Sequence, residues 1–251
     1  MTLLITGAAG TIGTHLATTL TDHGIPLRML DRRPLPRPPA GAETIQADLR
    51  DLPAVEQAAA GTSAIIHLAG ITQEGPFTEM IDHNITATHH VLEAARRQHV
   101  PRVVLASSHH VTGLTPIDGP ASPLAPDSFY AVSKVTTEAL GYLYAHKTAL
   151  TVVAIRIGSY RPQPSEPRHH ATWLSPRDAT TLLYNAATHP IPEPFLTIYG
   201  TSDTHETWWP RTGWDTLDYQ PADRTDQHTT VEPLPDRFVG GVFAEHDLPA
   251  S

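Results

Sequence analysis

Residues 3–13 read LLITGAAGTIG, an apolar run followed by glycines at positions 7, 10 and 13. The run Leu3–Ile5 predicts a β-strand, and the amphipathic segment Thr11–His23 that follows it predicts a helix. Glycines at such a turn let the backbone N–H groups at the start of the helix approach an anion, because no side chain obstructs it. The predicted binding site for the pyrophosphate of a dinucleotide therefore comprises Gly7, Gly10, Thr11, Ile12 and Gly13.

Short apolar runs alternate with helical patterns along the first 155 residues. Strands are predicted at Leu27–Leu30, Thr44–Gln46, Ala64–Leu68, Val103–Ala106 and Leu150–Arg156, and helices at Leu52–Ala60, Phe77–Gln98 and Ser128–Lys147. This alternation is typical of an α/β fold with a parallel sheet covered on both faces. After residue 156 only a helix at Ser175–His189 and a strand at Phe195–Tyr199 are predicted. We therefore expect a dinucleotide-binding domain over residues 1–155 and a small substrate-covering portion over residues 156–251.

The second predicted strand ends at Asp31, 18 residues beyond Gly13. A carboxylate at this point can accept hydrogen bonds from the ribose diol of adenosine and would repel a 2′-phosphate, which favours NAD over NADP. Arg32 and Arg33 keep NADP open as the less favoured cofactor, because a guanidinium beside the ribose can hold that phosphate. Two further pairs lie after the third and fourth strands, where an adenine and a ribose would pass: Asp48-Leu49 and Ala69-Gly70.

Tyr130 and Lys134 are four residues apart, so they share one face of the helix that Pro126 and Asp127 introduce. An ammonium close to a phenol stabilises the phenolate, which lets the tyrosine accept a proton from an alcohol while a hydride leaves. Ser108 follows the Val103–Ala106 strand, at the sheet edge where open α/β folds bind ligands. Its hydroxyl is predicted to hold the reacting oxygen. Ser108, Tyr130 and Lys134 are thus the candidate catalytic residues.

In this order and on these elements, the three glycines, Ser108 and Tyr130-x-x-x-Lys134 resemble the short-chain dehydrogenase/reductase superfamily, in its extended branch of NAD-dependent epimerase/dehydratase-like proteins. The resemblance covers residues 1–160 and includes Asn84, where such proteins often carry a structural asparagine. It implies a Rossmann fold with a doubly wound parallel sheet. It also implies that Tyr130, Lys134 and Ile157 contact the cofactor, and that the chain forms a homo-oligomer through the helices predicted at Phe77–Gln98 and Ser128–Lys147.

A narrower resemblance, to the uronate dehydrogenases, rests on seven segments. They are HLAGIT (67–72), ASSHHVTG (106–113), PDSFY (126–130), RIGS (156–159), ATWLS (171–175), YGTSD (199–203) and TWW (207–209). The chain length also favours the uronate dehydrogenases, since a tail this short leaves little room for the larger substrate domain of nucleotide-sugar epimerases. The resemblance implies NAD-dependent oxidation of an aldohexuronic acid, such as glucuronate or galacturonate, at C1 to the aldarolactone.

The same resemblance implies a set of substrate-binding residues. Sugar contacts are expected from Thr72, Ser108, His109, His110 and Ser159, and Arg168 is expected to receive the substrate carboxylate. Arginine suits this role because its planar guanidinium matches a carboxylate bidentately. The sequence departs from the family at His109, where an asparagine is usual, and at His169-His170, where an apolar pair is usual. Trp208 and Trp209 either line this pocket or anchor their loop to the core.

Two other functions stay open on the sequence alone. One is a sugar epimerase or dehydratase of the same superfamily, which keeps NAD bound and forms no net NADH. The other is a non-catalytic sensor that binds a dinucleotide, for which an intact Ser108, Tyr130 and Lys134 would serve no purpose.

Composition excludes several other classes of protein. The 251-residue chain has a net charge of −9 and no basic cluster, which argues against binding to DNA or RNA. No apolar run approaches the ~20 residues of a membrane-spanning helix, and the opening residues do not read as a secretory signal. There is no cysteine, and adjacent histidines point in different directions, so no metal site is expected. We expect a cytoplasmic protein whose acidic residues 201–251 form a surface layer.

Overall fold

The computed structural model describes residues 1–119, 122–206, 208–228 and 237–248. The strands are β1 Leu3–Thr6, β2 Leu27–Asp31, β3 Glu43–Gln46, β4 Ala64–His67, β5 Arg102–Ser108, β6 Thr151–Ile157, β7 Ser159–Tyr160, β8 Trp173–Leu174 and β9 Phe195–Gly200. The α-helices are α1 Thr11–Asp22, α2 Leu52–Ala59, α3 Phe77–Met80, α4 Ala87–Arg97, α5 Phe129–Lys147, α6 His169–Thr172, α7 Pro176–Thr188 and α8 Val242–Glu245. A π-helical segment spans Ile81–Thr86, and 3₁₀ turns span His109–Thr112, Asp215–Leu217 and Thr225–Gln227.

Seven of the strands form one parallel sheet in the order β3-β2-β1-β4-β5-β6-β9. The chain runs from β1 outward to β3, returns to β4 beside β1, and then continues outward in the other direction. This order is that of a doubly wound sheet, so the predicted α/β Rossmann fold is confirmed. Ligands bind such sheets at the point where the strand order reverses, beyond the carboxyl ends of the strands. The fold therefore directs attention to the crevice between β1 and β4.

Helices cover both faces of this sheet. On one face α1 contacts α7, and on the other α2 contacts α4, which in turn contacts α5. Every residue of β1 is buried, as an apolar strand covered on both sides requires. Two hydrophobic cores result, one on each face of the sheet. The first includes Leu16 and Leu20 of α1 with Leu182 of α7, and the second includes Val55 of α2 with Val91 of α4.

The predicted helix Phe77–Gln98 is not regular. Residues Ile81–Thr86 form a π-helical segment between α3 and α4. The wider turn places the side chain of Asn84 against the loop after β4, where its Oδ1 accepts a hydrogen bond from the N–H of Ile71 at 2.7 Å and its Nδ2 donates to the carbonyl of Ile71 at 3.0 Å. A π-helical turn is commonly tied to a functional site, and this one fixes a loop that borders the crevice.

The chain beyond residue 156 contributes to the main sheet. β9 pairs with β6 in parallel register, from Val152 with Phe195 to Ile157 with Gly200. The smaller pair β7–β8 and helix α6 were not predicted from the sequence. The domain boundary at residue 155 stays a prediction, and the last strand of the main sheet, β9, lies C-terminal to that boundary.

The C-terminal segment 237–245 lies beside the loop 113–116. Val239 N–H donates to the carbonyl of Thr115 at 3.0 Å, and Gly240 N–H donates to the carbonyl of Gly113 at 2.8 Å. Thr207 of the TWW motif and part of the expected acidic layer, residues 229–236 and 249–251, lie outside the described residues. Within the described part of the chain, no helix is both long and apolar enough to cross a bilayer.

Candidate active site

A cavity of about 960 Å³ follows the carboxyl ends of the strands. The structure brings every site residue predicted from the sequence to the wall of this one cavity. On the cofactor side these are Gly7, Gly10, Thr11, Ile12, Gly13, Asp31, Asp48, Leu49, Ala69, Gly70 and Ile157. The residues predicted for catalysis and substrate binding are Thr72, Ser108, His109, His110, Tyr130, Lys134, Ser159 and Arg168. A dinucleotide and a sugar can bind in the cavity together only if it is continuous between these two groups of residues. Both groups line the same cavity, so it is continuous.

The glycine turn after β1 has no room for side chains. A Cβ on Gly7 would lie 2.5 Å from the backbone nitrogen of Ala69, and Gly7 has a φ of +73° that favours glycine. A Cβ on Gly13 would lie 2.4 Å from the carbonyl oxygen of Gly7. Because Gly10 is the N-cap of α1, no side chain caps the N–H groups of the first turn. These residues fit the pyrophosphate of a nicotinamide dinucleotide, with the positive end of the α1 dipole behind it.

Asp31 is held at the end of β2 with its carboxylate fixed. Its Oδ2 accepts a hydrogen bond from the N–H of Ala9 at 2.9 Å, and its Oδ1 accepts one from the N–H of Arg33 at 2.9 Å. Asp48, after β3, is bound by the guanidinium of Arg50 at 2.8 Å, which lowers the pKa of Asp48 to about 2. A fixed carboxylate at Asp31 suits a ribose diol, as the sequence predicts.

Tyr130 and Lys134 lie one helical turn apart near the start of α5, and both are more than nine-tenths buried. Lys134 Nζ is 5.7 Å from the centre of the Tyr130 ring and donates to the carbonyl of Ala106 at 2.8 Å. Burial lowers the pKa of Lys134 to about 8. Burial also raises the pKa of Tyr130 to about 12, although a hydrogen bond with Ser108 opposes that rise.

The sequence predicted that Lys134 lowers the pKa of Tyr130, and in the protein alone the pKa moves the other way. The physical reason is that burial disfavours the charged phenolate by more than the hydrogen bond with Ser108 favours it. Tyr130 therefore keeps its proton at neutral pH in the protein alone.

The first turn of α5 is fixed by residues that sequence reasoning missed. Glu74, in the loop after β4, accepts hydrogen bonds from the N–H groups of Phe129 and Tyr130, both at 3.0 Å. Ser128 Oγ accepts from the N–H of Ala131 at 3.0 Å and is the N-cap of the helix. No local pattern reveals Glu74, because it lies 55 residues before the helix it caps. Its carboxylate ties the loop that carries Thr72 to the helix that carries Tyr130.

His110 is oriented by Asp127. The Nδ1 of His110 lies 2.7 Å from Oδ2 of Asp127 in a buried pair. Burial and the nearby positive charge of Arg168 lower the pKa of His110 to about 3, and burial raises the pKa of Asp127 to about 6. At neutral pH the imidazole is thus neutral and donates from Nδ1–H to an ionised Asp127. This leaves Nε2 of His110, on the cavity wall, as a hydrogen-bond acceptor.

Two contacts of Arg168 bear on the site. Its Nη1 donates to the carbonyl of Gly240 at 3.0 Å, and its Nη2 lies 3.1 Å from Nε2 of His109. The other ring nitrogen of His109, Nδ1, lies 3.1 Å from the carbonyl oxygen of Ile157. Burial, together with the charges of His110 and Arg168, holds the pKa of His109 well below its usual range. Both nitrogens of His109 thus have protein partners.

In the second departure from the family pattern, His169-His170, the first histidine binds the backbone before Arg168. Nδ1 of His169 accepts hydrogen bonds from the N–H groups of Ser165 and Glu166 at 3.0 and 3.1 Å, so His169 folds the loop before Arg168 onto helix α6. Burial lowers the pKa of His169 to about 4, which keeps the ring neutral.

Ser159 and Thr172 are hydrogen-bonded through their hydroxyls at 2.8 Å. Thr172 Oγ1 donates to the carbonyl of Arg168 at 3.1 Å, so Ser159 donates to Thr172 and keeps its own lone pairs toward the cavity. Thr72 lies at the exposed rim of the same cavity.

Two aromatic residues lie beside the residues predicted for catalysis and substrate binding. Trp209 stacks on Tyr199 with ring centres 5.0 Å apart and planes 4° apart, and its ring centre lies 5.2 Å from that of His109. Trp209 therefore both anchors its loop and buttresses a residue of the cavity wall. Phe243, which sequence reasoning missed, lies 4.5 Å from the His110 ring and 6.3 Å from the Tyr130 ring. The C-terminal segment that carries Phe243 thus covers the candidate catalytic residues.

Potential metal ligands do not gather anywhere in the described ranges: no group of three or more His, Asp or Glu side chains there is placed to hold an ion.

Comparisons with known proteins agree with this geometry. The family model described as NAD dependent epimerase/dehydratase family matches residues 3–177. A uronate dehydrogenase of Pseudomonas syringae pv. tomato is 38% identical over 241 residues, which cover 93% of this chain and 87% of that protein. The crystal structure of uronate dehydrogenase from Agrobacterium tumefaciens is 34% identical, has a TM-score of 0.90, and is matched over 98% of this chain and 97% of that chain. A mutant of that enzyme complexed with NAD is 33% identical, has a TM-score of 0.91, and is matched over 100% and 99% of the two chains.

Proposed function

Because the chain belongs to the NAD dependent epimerase/dehydratase family and is an NAD-dependent dehydrogenase, we propose that it oxidises a cyclic aldohexuronic acid, glucuronate or galacturonate, at C1 to the aldarolactone. The resemblance to uronate dehydrogenases read from the sequence is confirmed by these relatives, and NAD is the cofactor.

The residues on the cofactor side fit NAD. Gly7, Gly10 and Gly13 would hold the pyrophosphate, Asp31 the adenosine ribose, and Lys134 the nicotinamide ribose. When bound, NAD supplies a positively charged nicotinamide ring that accepts a hydride.

The observation that carries the substrate class is the position of Arg168. Its guanidinium lies in the wall of the cavity that also contains Ser108 and Tyr130, and both histidines beside it are neutral. A guanidinium in a partly buried wall favours an anionic group on the substrate, and its planar fork favours a carboxylate. The C6 carboxylate of a uronic acid is such a group.

The chemical step then divides among few residues. Ser108 and Tyr130 hold the C1 hydroxyl; the Tyr130 phenolate takes its proton while the hydrogen on C1 leaves as hydride, and C1 becomes the carbonyl of the lactone. Tyr130 is protonated in the protein alone, and a positive charge beside a phenol lowers its pKa. Lys134, whose Nζ lies 5.7 Å from the centre of the Tyr130 ring, supplies such a charge. His110, with Nε2 as acceptor, receives a hydrogen bond from a sugar hydroxyl.

The test is the appearance of NADH absorbance when the purified protein is mixed with NAD and glucuronate or galacturonate. Tyr130→Phe is expected to abolish NADH formation while NAD affinity stays within about 3-fold, since the phenol and not the ring is the base. Arg168→Lys is expected to raise KM for the uronate by ~10-fold or more and to leave KM for the matching neutral aldose unchanged.

Three results would contradict the proposal. Turnover by Tyr130→Phe above a few per cent would remove the base assignment, and an equal effect of Arg168→Lys on the acid and the neutral sugar would remove the carboxylate role. No NADH from the unaltered protein, with NAD bound, would favour the epimerase or dehydratase that the sequence left open.

A further inference from the structure

We infer that His109 is a positioning residue for Arg168: it holds the guanidinium through Nε2 and thereby selects substrates with a carboxylate, rather than contacting the sugar. The inference deepens the proposed function and rests on it for the identity of the carboxylate. It replaces the sugar contact that the family resemblance implies for this position.

The hydrogen-bond partners of His109 determine its protonation. The carbonyl of Ile157 can only accept, so Nδ1 of His109 carries the hydrogen of their 3.1 Å contact. A guanidinium can only donate, so Nε2 of His109 accepts from Nη2 of Arg168 at 3.1 Å. Only the neutral Nδ1–H tautomer satisfies both partners. The low pKa of the buried ring agrees with this assignment.

The ring cannot turn away from Arg168. His109 is 4% exposed and lies between His110, whose ring centre is 4.2 Å away, and Trp209 at 5.2 Å. Trp209 is in turn stacked on Tyr199. The hydroxyl of Tyr199 accepts a hydrogen bond from Nη1 of Arg156 at 2.8 Å. Neighbouring rings and hydrogen-bond partners on both nitrogens therefore hold the imidazole in place.

Two acceptors among the partners of Arg168 orient the plane of its guanidinium. One is Nε2 of His109, and the other is the carbonyl oxygen of Gly240 at 3.0 Å. Because bidentate recognition of a carboxylate depends on the orientation of this plane, His109 contributes to affinity for the acid without touching it. Both nitrogens of His109 already serve protein partners, which argues against a direct contact with a hydroxyl of the sugar.

A pair of variants tests this role. His109→Phe keeps a ring against Trp209 and removes both nitrogens, whereas His109→Gln places an amide oxygen near the position of Nε2 and can still accept from Arg168. For His109→Phe we expect KM for the uronate to rise ~10-fold or more, with kcat within about 3-fold and with KM for the matching neutral aldose unchanged. For His109→Gln we expect KM for the uronate to return to within about 3-fold of the unaltered protein.

The outcomes separate the alternatives. If His109 contacts the sugar directly, His109→Phe will raise KM for galacturonate and for galactose alike, and that result would overturn the inference. An unchanged KM for the uronate in His109→Phe would also overturn it. If His109→Phe does not fold, His109→Ala, with the same comparison of acid and neutral sugar, takes its place.

A second readout does not depend on turnover. Long-range ¹H–¹⁵N correlations of histidine-labelled protein at pH 7 are expected to show His109, assigned by its loss in His109→Gln, with a protonated Nδ1 and an unprotonated Nε2. A protonated Nε2 would overturn the inference even if the enzyme oxidises uronates. An unprotonated Nε2 in a protein that oxidises no uronate would refute the proposed function and leave the His109–Arg168 contact standing.

Discussion

Replacement of Lys134 by methionine is expected to stabilise the NAD-free protein at neutral pH while it abolishes activity. Lys134 is 6% exposed, and its pKa falls from 10.5 to about 8 because burial disfavours the ammonium. At 1.36 kcal/mol per pH unit, that fall corresponds to ~3 kcal/mol of destabilisation at pH 7. Methionine is nearly as long and carries no charge. It leaves the carbonyl of Ala106 without its donor, which costs about 1–2 kcal/mol at every pH.

The sign of the effect follows from proton linkage. The unfolded chain binds more protons than the folded chain between pH 8 and pH 10.5, so the stability of the unaltered protein rises with pH across that window. The burial penalty that Lys134→Met removes is therefore ~3 kcal/mol at pH 7 and ~1 kcal/mol at pH 10. The variant is expected to be more stable by about 1–2 kcal/mol at pH 7, and to lose this advantage by pH 10.

The assay is urea unfolding, followed by the fluorescence of the four tryptophans, for both proteins at pH 7, 8, 9 and 10 without NAD. The chain's second lysine, Lys147, is exposed at the end of α5, and Lys147→Met is the matched control whose difference from the unaltered protein should not vary over this range. A Lys134→Met protein that is less stable at pH 7, or a difference that does not change from pH 7 to pH 10, would refute the reasoning.

Three further predictions concern the cofactor turn and the two acids beside the site. Gly13→Ala brings a Cβ to 2.4 Å from the carbonyl oxygen of Gly7, so we expect the free energy of unfolding to fall by ~2–4 kcal/mol. We also expect no measurable NAD binding by titration calorimetry, and an NAD affinity within about 10-fold of that of the unaltered protein would contradict this. Glu74→Gln removes one acceptor from the first turn of α5, so kcat should fall ~10-fold or more with KM for NAD unchanged; an unchanged kcat would show that this cap does not position the catalytic helix. Asp127→Asn lets His110 adopt the tautomer with Nε2 protonated, so KM for the uronate should rise at pH 7. In the unaltered protein, affinity for the uronate should fall below about pH 6 as Asp127 takes up a proton, and in the variant this fall should be absent; the same pH profile in both proteins would refute the prediction.

The glycine turn and the parallel strands were readable from the sequence because each depends on local pattern, whereas the doubly wound sheet and the substrate-side residues were predicted from the family resemblance. Strands of one parallel sheet end at the same edge, so residues after β1, β2, β4, β5 and β6 had to meet there once the strands were identified. The spacing of Tyr130 and Lys134 fixed their relation to each other in the same way, since it depends only on helix geometry.

Tertiary structure alone decided the charges and partners within the site. Burial, which no spacing reveals, raises the pKa of Tyr130 and lowers that of Lys134, against the shift expected from their proximity. Glu74 caps a helix that begins 55 residues later, and His109 forms its bond to Arg168 across 59 residues. Such contacts depend on how separate elements pack and on where water is excluded. The sequence therefore determined which residues share the cavity, and the folded chain determined which of them carry charge, hold a proton or orient a neighbour.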